Sequence, residues 1–369
     1  MRNLFLPVVF ALFTAQAHAE IGVSENEIII GQSAAFSGPS AALGTNVNAG
    51  AQAYFDKVNR EGGIHGRRIK LMPLDDGYEA DRAAKNTEKL IKQFKVFALF
   101  AYVGTPTSLA ALPIFNENNV PFFGAVTGAE KLRSPFNRNI FNVRASYFDE
   151  TREIVKFLGA ARACNTAVVY QNDSYGQAGL AGVVRAMEAI GCKPIGTATI
   201  ERNSLDVSKA VETMAELRPN GLIIISAYKA SAEFSRKLEE KFPGAHQWNV
   251  SFVGTTELVG ELGEKGRGIC ITQVVPYILD SMPLIREHRK ALGAKATFTS
   301  LEGYINAAVF VEALRRAGRN LTREGFINTL ETNGDIDLNG YKVSFSRESH
   351  NGSKFVTTTM ITRNGKVIQ

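Results

Sequence analysis

The sequence predicts an α/β protein of two lobes, each a parallel sheet covered by helices in the Rossmann manner. Three observations carry this. Short apolar runs alternate with helical patterns almost throughout the 369 residues, the signature of consecutive β-α-β units. About 350 residues remain once an amino-terminal leader is set aside, more than one core usually holds. The alternation comes in two series with a helix-rich return after the second, so the chain crosses between lobes more than once. One lobe is expected at 20–143 plus 276–346 and the other at 144–275 plus 347–369.

Residues 1–19 open with one charge, Arg2, run apolar from Leu4 to Ala15 and end Ala17-His18-Ala19. This is the pattern of a secretory signal peptide cleaved after Ala19, and the apolar run is too short for a membrane span. The first series begins with strand Ile28–Ile30 and a loop from Ser33 to Pro39. A helix follows with Val47, Ala51, Tyr54 and Val58 on one face, ended by Gly62-Gly63. Strand Ile69–Leu74, helix Ala80–Phe94, strand Val96–Tyr102, a helix opening near Thr105 and strand Val120–Phe123 complete it. After Ile140–Val143 the second series runs through a helix to about Ala161, strand Thr166–Tyr170, helix Tyr175–Ile190, strand Lys193–Ile200 and helix Leu205–Leu217. Strand Leu222–Ile225, helix Ser231–Phe242, and strands Ser251–Val253 and Ile269–Val274 finish this series. Helices at Pro283–Leu292, Leu301–Ala317 and Thr322–Thr332 then lead to strands Tyr341–Phe345, Phe355–Ile361 and Lys366–Ile368.

Composition is that of an ordinary globular chain, 45% hydrophobic and 21% charged. The formal charge of +6 becomes +5 when Arg2 leaves with the leader. The basic residues are dispersed rather than interleaved with aromatics, which argues against nucleic acid as a partner. Cys164 and Cys192 each precede a strand in consecutive β-α-β units, where a disulfide or a pair of buried thiols fits; Cys270 is left over. No phosphate loop, dinucleotide loop, zincin helix or nucleophile elbow occurs. His65, His246, His288 and His350 lack metal-ligand spacing, so neither metal nor cofactor is expected. Asp75-Asp76, at a strand end, is the one carboxylate pair a secreted hydrolase could use; solvated or capping acids are its simpler reading, and no enzyme activity is expected.

Phe97–Pro113 delivers a buried strand straight into Gly104-Thr105-Pro106-Thr107-Ser108. Thr105 reads as an N-cap and Pro106 as the first helical residue. The same helix start, with free N–H groups and the positive dipole end, suits a ligand carboxylate. In parallel sheets such groups gather at carboxyl ends of strands, and a cleft between two lobes is a favoured place for a small ligand.

The segment from Ser33 to Ile91 contains S-G-P before the first helix, N-x-x-G-G-I-x-G-R after it, and D-D closing the next strand. With "YQNDSYGQAGLAG" and the late "LEGYINAAVFVEAL", it resembles the periplasmic substrate-binding proteins of ABC transporters of the leucine/isoleucine/valine-binding type. The similarity spans nearly all of the mature chain. It implies a type I periplasmic-binding, Venus-flytrap fold with three crossovers. It also implies a periplasmic monomer that closes on an amino acid and offers it to a membrane permease. Thr105 falls where the family holds the ligand carboxylate; Ala125 and Thr127 fall where a carbonyl and a hydroxyl hold the ammonium and help with the carboxylate. Tyr175 and Tyr228 match tyrosines that cover the ligand. Glu257 falls near the acidic partner of the ammonium, with Thr256 a competitor for that place. Leu43 stands where branched-chain binders often place an aromatic, and Tyr147 where an acid or small polar residue is common. Both departures leave the side chain open among branched-chain, aromatic and amide types. They also leave open aromatic or aliphatic carboxylates lacking an amine, and a sensor read by a membrane receptor in place of a transporter.

Overall fold

The computed structural model describes residues 20–369, so the expected signal peptide, Met1–Ala19, lies outside the described residues. Strand β1 (Glu27–Ala34) enters the first sheet and leads through helix α1 (Ala41–Arg60) to β2 (Arg68–Asp75). Helix α2 (Ala80–Lys92), β3 (Ala98–Phe100), α3 (Thr105–Glu117), β4 (Phe122–Phe123) and β5 (Ile140–Phe141) follow. The strands lie in the order β2-β1-β3-β4-β5, all parallel; helices make the returns between them up to β4, and a long loop with a 3₁₀ turn at Glu130–Leu132 makes the return from β4 to β5.

The second sheet begins after α4 (Tyr147–Ala163), which is broken at Gly159. It receives β6 (Thr166–Gln171), α5 (Ser174–Glu188), β7 (Thr197–Ile200), α6 (Ser208–Leu217) and β8 (Gly221–Ile225). Then come α7 (Tyr228–Lys241), β9 (His246–Asn249), α8 (Thr255–Leu262) and β10 (Cys270–Gln273). All five residues of β8 are buried, as expected of a central strand covered on both faces. The chain then returns through α9 (Pro283–Leu292), α10 (Phe298–Ala317) and α11 (Arg323–Thr332), makes the small ladder β11 (Ile336–Asp337) with β12 (Lys342–Val343), and ends in β13 (Thr357–Ile361) and β14 (Val367–Ile368). The second sheet is ordered β14-β13-β10-β9-β8-β6-β7, with β13 antiparallel to both neighbours.

The returning α10 packs along α1, where Tyr304 meets Tyr54 edge to face at 4.9 Å, so the return belongs to the first sheet and β13–β14 to the second. Three chain passages therefore join the halves. The first and third run side by side: Asn142 N–H donates to His350 O at 2.9 Å, and Gly352 N–H to Asn142 O at 2.7 Å. Beside them Arg144, 2% exposed, pairs with Glu150 at 2.8 Å on α4 and with Glu302 at 3.1 Å on α10. Burial pushes the Glu302 carboxyl up, against the pull of Arg144. Glu150 also accepts from Ser251 N–H at 2.7 Å and from the Thr272 hydroxyl. Two carboxylates and one guanidinium are thus packed where the halves meet, an arrangement tolerable only because nearly every polar atom finds a partner.

One expected strand is corrected. Residues 251–253 form a 3₁₀ turn rather than a strand, and the strand is His246–Asn249; the one-residue linker Val250 separates a polar strand, whose sequence His-Gln-Trp-Asn lacks an apolar run, from an apolar turn that imitates one. The helix α8 that follows was not expected at all. Cys164 and Cys192 are joined in a disulfide, with Cα atoms 5.0 Å apart, and Cys270 is free. Among the described residues no helix is long and apolar enough to cross a membrane.

Candidate functional site

The carboxyl ends of β1–β4 and of β6, β8 and β9 face one another across the seam between the lobes. Gly104, not Thr105, is the N-cap of α3: it sits at φ +100°, and a Cβ there would lie 2.2 Å from the Tyr78 ring. A residue that must be both left-handed and pressed against an aromatic can only be glycine. Thr105 is consequently the first helical residue and Pro106 the second. Thr107 and Ser108 send their hydroxyls back to Val103 O and Gly104 O, so they are spent on the turn and leave Thr105 as the free hydroxyl of the helix start.

Thr105 Oγ1 lies 2.7 Å from Thr127 Oγ1, and Thr127 donates to the Tyr147 hydroxyl at 3.3 Å. With its proton given to Tyr147, Thr127 must accept from Thr105, leaving the Tyr147 phenol proton unspent. The neighbouring Tyr175, fully buried with its ring 5.5 Å from that of Tyr147, has a hydroxyl without any partner. Two buried phenols with free protons beside a helix N-terminus form a donor array with no acceptor of its own. Ala125, buried at the end of β4, turns its carbonyl back to Thr127 N–H at 2.9 Å. Phe252, from the 3₁₀ turn, packs on Tyr175 at 4.6 Å and on Tyr78 at 5.9 Å.

Glu257, on α8, is the seam's acidic member. Its carboxylate accepts from the Asn46 amide on α1 and from Thr299 Oγ1 on α10 at 3.1 Å. Burial pushes its pKa up, and those hydrogen bonds only partly offset this. No Lys or Arg among the described residues pairs with it. Glu257, rather than Thr256, carries these cross-seam bonds. Leu43 and the Glu257 carboxylate crowd the same point, since a Cβ on Gly254 would meet them at 2.6 and 2.9 Å. Tyr228, 5% exposed at the start of α7, lies beside the Ala42 backbone. The eight residues singled out from sequence thus fall in two groups, Thr105, Ala125, Thr127, Tyr147 and Tyr175 in one, Leu43, Tyr228 and Glu257 in the other; the turn from Phe252, packed on Tyr175, to Gly254, set against Leu43 and Glu257, runs from one to the other.

Asp75 and Asp76 are occupied by the turn after β2. Asp75 accepts from the Phe36, Ser37 and Gly77 N–H groups, the Ser37 hydroxyl and Arg82; these outweigh burial and hold its pKa at about 2. Asp76, fully buried, accepts from Ser33 Oγ and Tyr78 N–H, yet burial raises it to about 6. The pair builds a turn whose product is Tyr78 at φ +63°. Among the described residues no cluster of three or more His, Cys, Asp or Glu is gathered as a metal would need. Tyr78, Phe252 and Asn46 were missed by the sequence reading; an aromatic directly after Asp-Asp-Gly was the available signal for Tyr78.

Two sheet-centred lobes joined by three chain passages, with a buried seam to which both contribute side chains, define a protein of the Venus-flytrap class. A family model described as "Periplasmic binding protein" matches residues 27–366, and the chain belongs to that family. It is similar to an "Amino acid binding protein" of Pseudomonas aeruginosa, 23% identical over 333 residues and 86% of each chain. The crystal structure of a possible leucine/isoleucine/valine-binding protein from Rhodopirellula baltica SH 1 is 31% identical, covers 94% of this chain and 97% of that one, and superposes with a TM-score of 0.87. A solute-binding protein from R. palustris in complex with benzoate shares the fold, at 18% identity, 93% and 95% coverage and a TM-score of 0.81.

Proposed function

We propose that the protein is the periplasmic solute-binding component of an ABC importer and that it closes on an amino acid of branched-chain, aromatic or amide type. The observation that carries this is the pairing of two unfulfilled charges' worth of chemistry in one seam. Glu257 is a largely enclosed carboxylate with no protein cation, and the α3 start is a donor array with no protein anion. A zwitterion supplies both. The Thr105 N–H, Tyr147 and Tyr175 would meet its carboxylate, Glu257, Thr127 and the Ala125 carbonyl its ammonium, and Leu43 and Tyr228 its side chain. One helix start contributes about 0.3 to 2 kcal/mol to anion binding, whereas micromolar affinity needs about 8. Four or five hydrogen bonds to charged groups at about 1.5 to 3 kcal/mol each reach that range only when both lobes contribute. Binding therefore favours the closed form, the form a permease reads.

A second reading is favoured by the bonds Glu257 already makes. Held by Asn46 and Thr299, with its pKa raised, it could join the lobes as a neutral acid around a carboxylate without an amine, the kind of solute bound by the R. palustris neighbour. Thermal unfolding of refolded protein against the twenty amino acids, benzoate and octanoate separates the two. Ligand at a hundred times its Kd adds about 2.7 kcal/mol of stability, a shift of several degrees. A shift with α-amino acids supports the first reading, and a shift with benzoate or octanoate alone supports the second.

A further inference from the structure

At the partly exposed edge of the seam the loop after β7 reaches across to the opposite lobe. Arg202 Nη2 donates to Glu79 Oε2 at 2.8 Å, and Asn203 Nδ2 donates both to Glu79 Oε1 at 2.7 Å and to Gly77 O at 3.0 Å. Ser40 Oγ, at the start of α1, donates to Asn203 Oδ1 at 3.3 Å. Asn203 adopts φ +59° to do this, a left-handed conformation that a non-glycine residue holds only when its surroundings determine it. The second guanidinium nitrogen of Arg202 donates to Asp173 Oδ2 at 3.3 Å. Asp173 is itself the N-cap of α5, its other oxygen accepting from Tyr175 N–H at 2.9 Å.

Each side of this contact is rigidly tied to a tyrosine of the seam. On one lobe the clamped residues, Gly77 and Glu79, flank Tyr78 in the turn that Asp75 and Asp76 hold. On the other, Asp173 fixes the helix start that carries Tyr175. Gln171 adds a direct bridge, donating to the Tyr78 hydroxyl at 3.3 Å and to Asp173 at 2.6 Å. None of the polar atoms of Arg202 or Asn203 belongs to the two groups of solute-facing residues. Their partners on Glu79, Gly77 and Ser40 are within reach only when the lobes are together.

We propose that Arg202 and Asn203 are positioning residues that latch the closed form: they touch no solute, and they set the affinity for every solute by a common factor. The latch itself does not depend on which solute the seam takes. Charge-assisted bonds of this kind, partly screened by solvent, make the expected loss in the double variant R202A/N203A about ten- to a hundredfold in Kd, lying mainly in the off-rate.

The test is isothermal titration and stopped-flow release with L-leucine, L-phenylalanine, L-glutamine and benzoate, on wild type, R202A/N203A and R202K, together with small-angle scattering of the ligand-stripped proteins. The double variant is expected to lose the same factor for every probe that wild type binds, R202K to lose less, and the stripped double variant to show a larger radius of gyration at an unchanged unfolding temperature. Unchanged affinity, or losses that differ between probes, would overturn the latch, since the first leaves it no role and the second makes these residues part of the solute site. If wild type binds none of the probes, the reading of the solute fails while the latch is decided by scattering alone, and an unchanged radius of gyration overturns it.

Discussion

Replacing Glu257 with Gln tests the amino-acid reading most sharply, because it changes one charge and almost no volume. In wild type the carboxylate accepts from Asn46 and Thr299. The amide oxygen of Gln keeps one of these donors, and the Thr299 hydroxyl can rotate to accept from the new NH₂ group. The folded protein should therefore change in stability by less than about 1 kcal/mol, helped by the loss of a charge that burial disfavours. Binding is different. An ammonium enclosed by the seam would lose its only full counter-charge, which costs about 2 to 5 kcal/mol, or about thirtyfold to several thousandfold in Kd. Benzoate, with no ammonium, should bind the variant at least as well as wild type. Titration calorimetry with whichever of L-leucine, L-phenylalanine and L-glutamine gives the largest thermal shift reads the difference. The pH dependence adds an independent check. Since burial raises the Glu257 pKa, wild type gains its proton as pH is lowered into the upper carboxylate range and its affinity for an amino acid falls there, while E257Q stays flat. An E257Q protein that binds an α-amino acid as tightly as wild type would refute the assignment of Glu257 to the ammonium.

Three further outcomes are expected. Tyr175→Phe removes a buried hydroxyl that has no partner, so thermal stability of the stripped protein should hold or rise by up to about 1 kcal/mol, while solute affinity falls by about 1.5 to 3 kcal/mol on titration. Asp76 holds its proton more tightly folded than unfolded, with a pKa of about 6 against the ordinary 3.8. The folded state is therefore favoured most below about pH 4, and stability is lost as pH rises through 6. At 1.36 kcal/mol per pH unit this amounts to about 3 kcal/mol, and between pH 4 and pH 7 the unfolding free energy from urea titrations should fall by about that much less in Asp76→Asn than in wild type. Arg144→Ala strands two buried carboxylates, and a loss of about 3 to 5 kcal/mol in urea unfolding is expected.

The α/β class and the two series of β-α-β units were legible because parallel strands buried on both faces leave apolar runs such as Leu222–Ile225, which no surface loop imitates. The placement of Thr105 and Thr127 was legible for a related reason, since each lies just beyond the carboxyl end of a buried strand, β3 and β4. The cap at Gly104 was not: its glycine is demanded by Tyr78, a residue distant in sequence whose backbone is turned by two aspartates that the sequence reading took first as solvated or capping acids, without the turn they build. The strand at His246–Asn249 escaped because its polar side chains, Asn249 and Gln247 among them, are satisfied by Ser231 and Ser235 at 2.6 Å each, a compensation that appears only once α7 is folded against it. The two-group arrangement of the site was illegible in the same way. Which of Glu257 and Thr256 faces the seam depends on the phase of α8, a helix that periodicity over eight residues does not announce.

The side-by-side pairing of Asn142 with His350 and Gly352 has a mechanical consequence. A single extended strand between two bodies bends and twists with equal ease, and the bodies it joins would reapproach at many relative rotations. Two passages tied at one bridge, between Asn142 and Asn351, must bend together, and twisting one against the other strains the two hydrogen bonds that join them. Bending is thereby the softer motion of the lobes, and a solute that waits for closure waits mainly for that one.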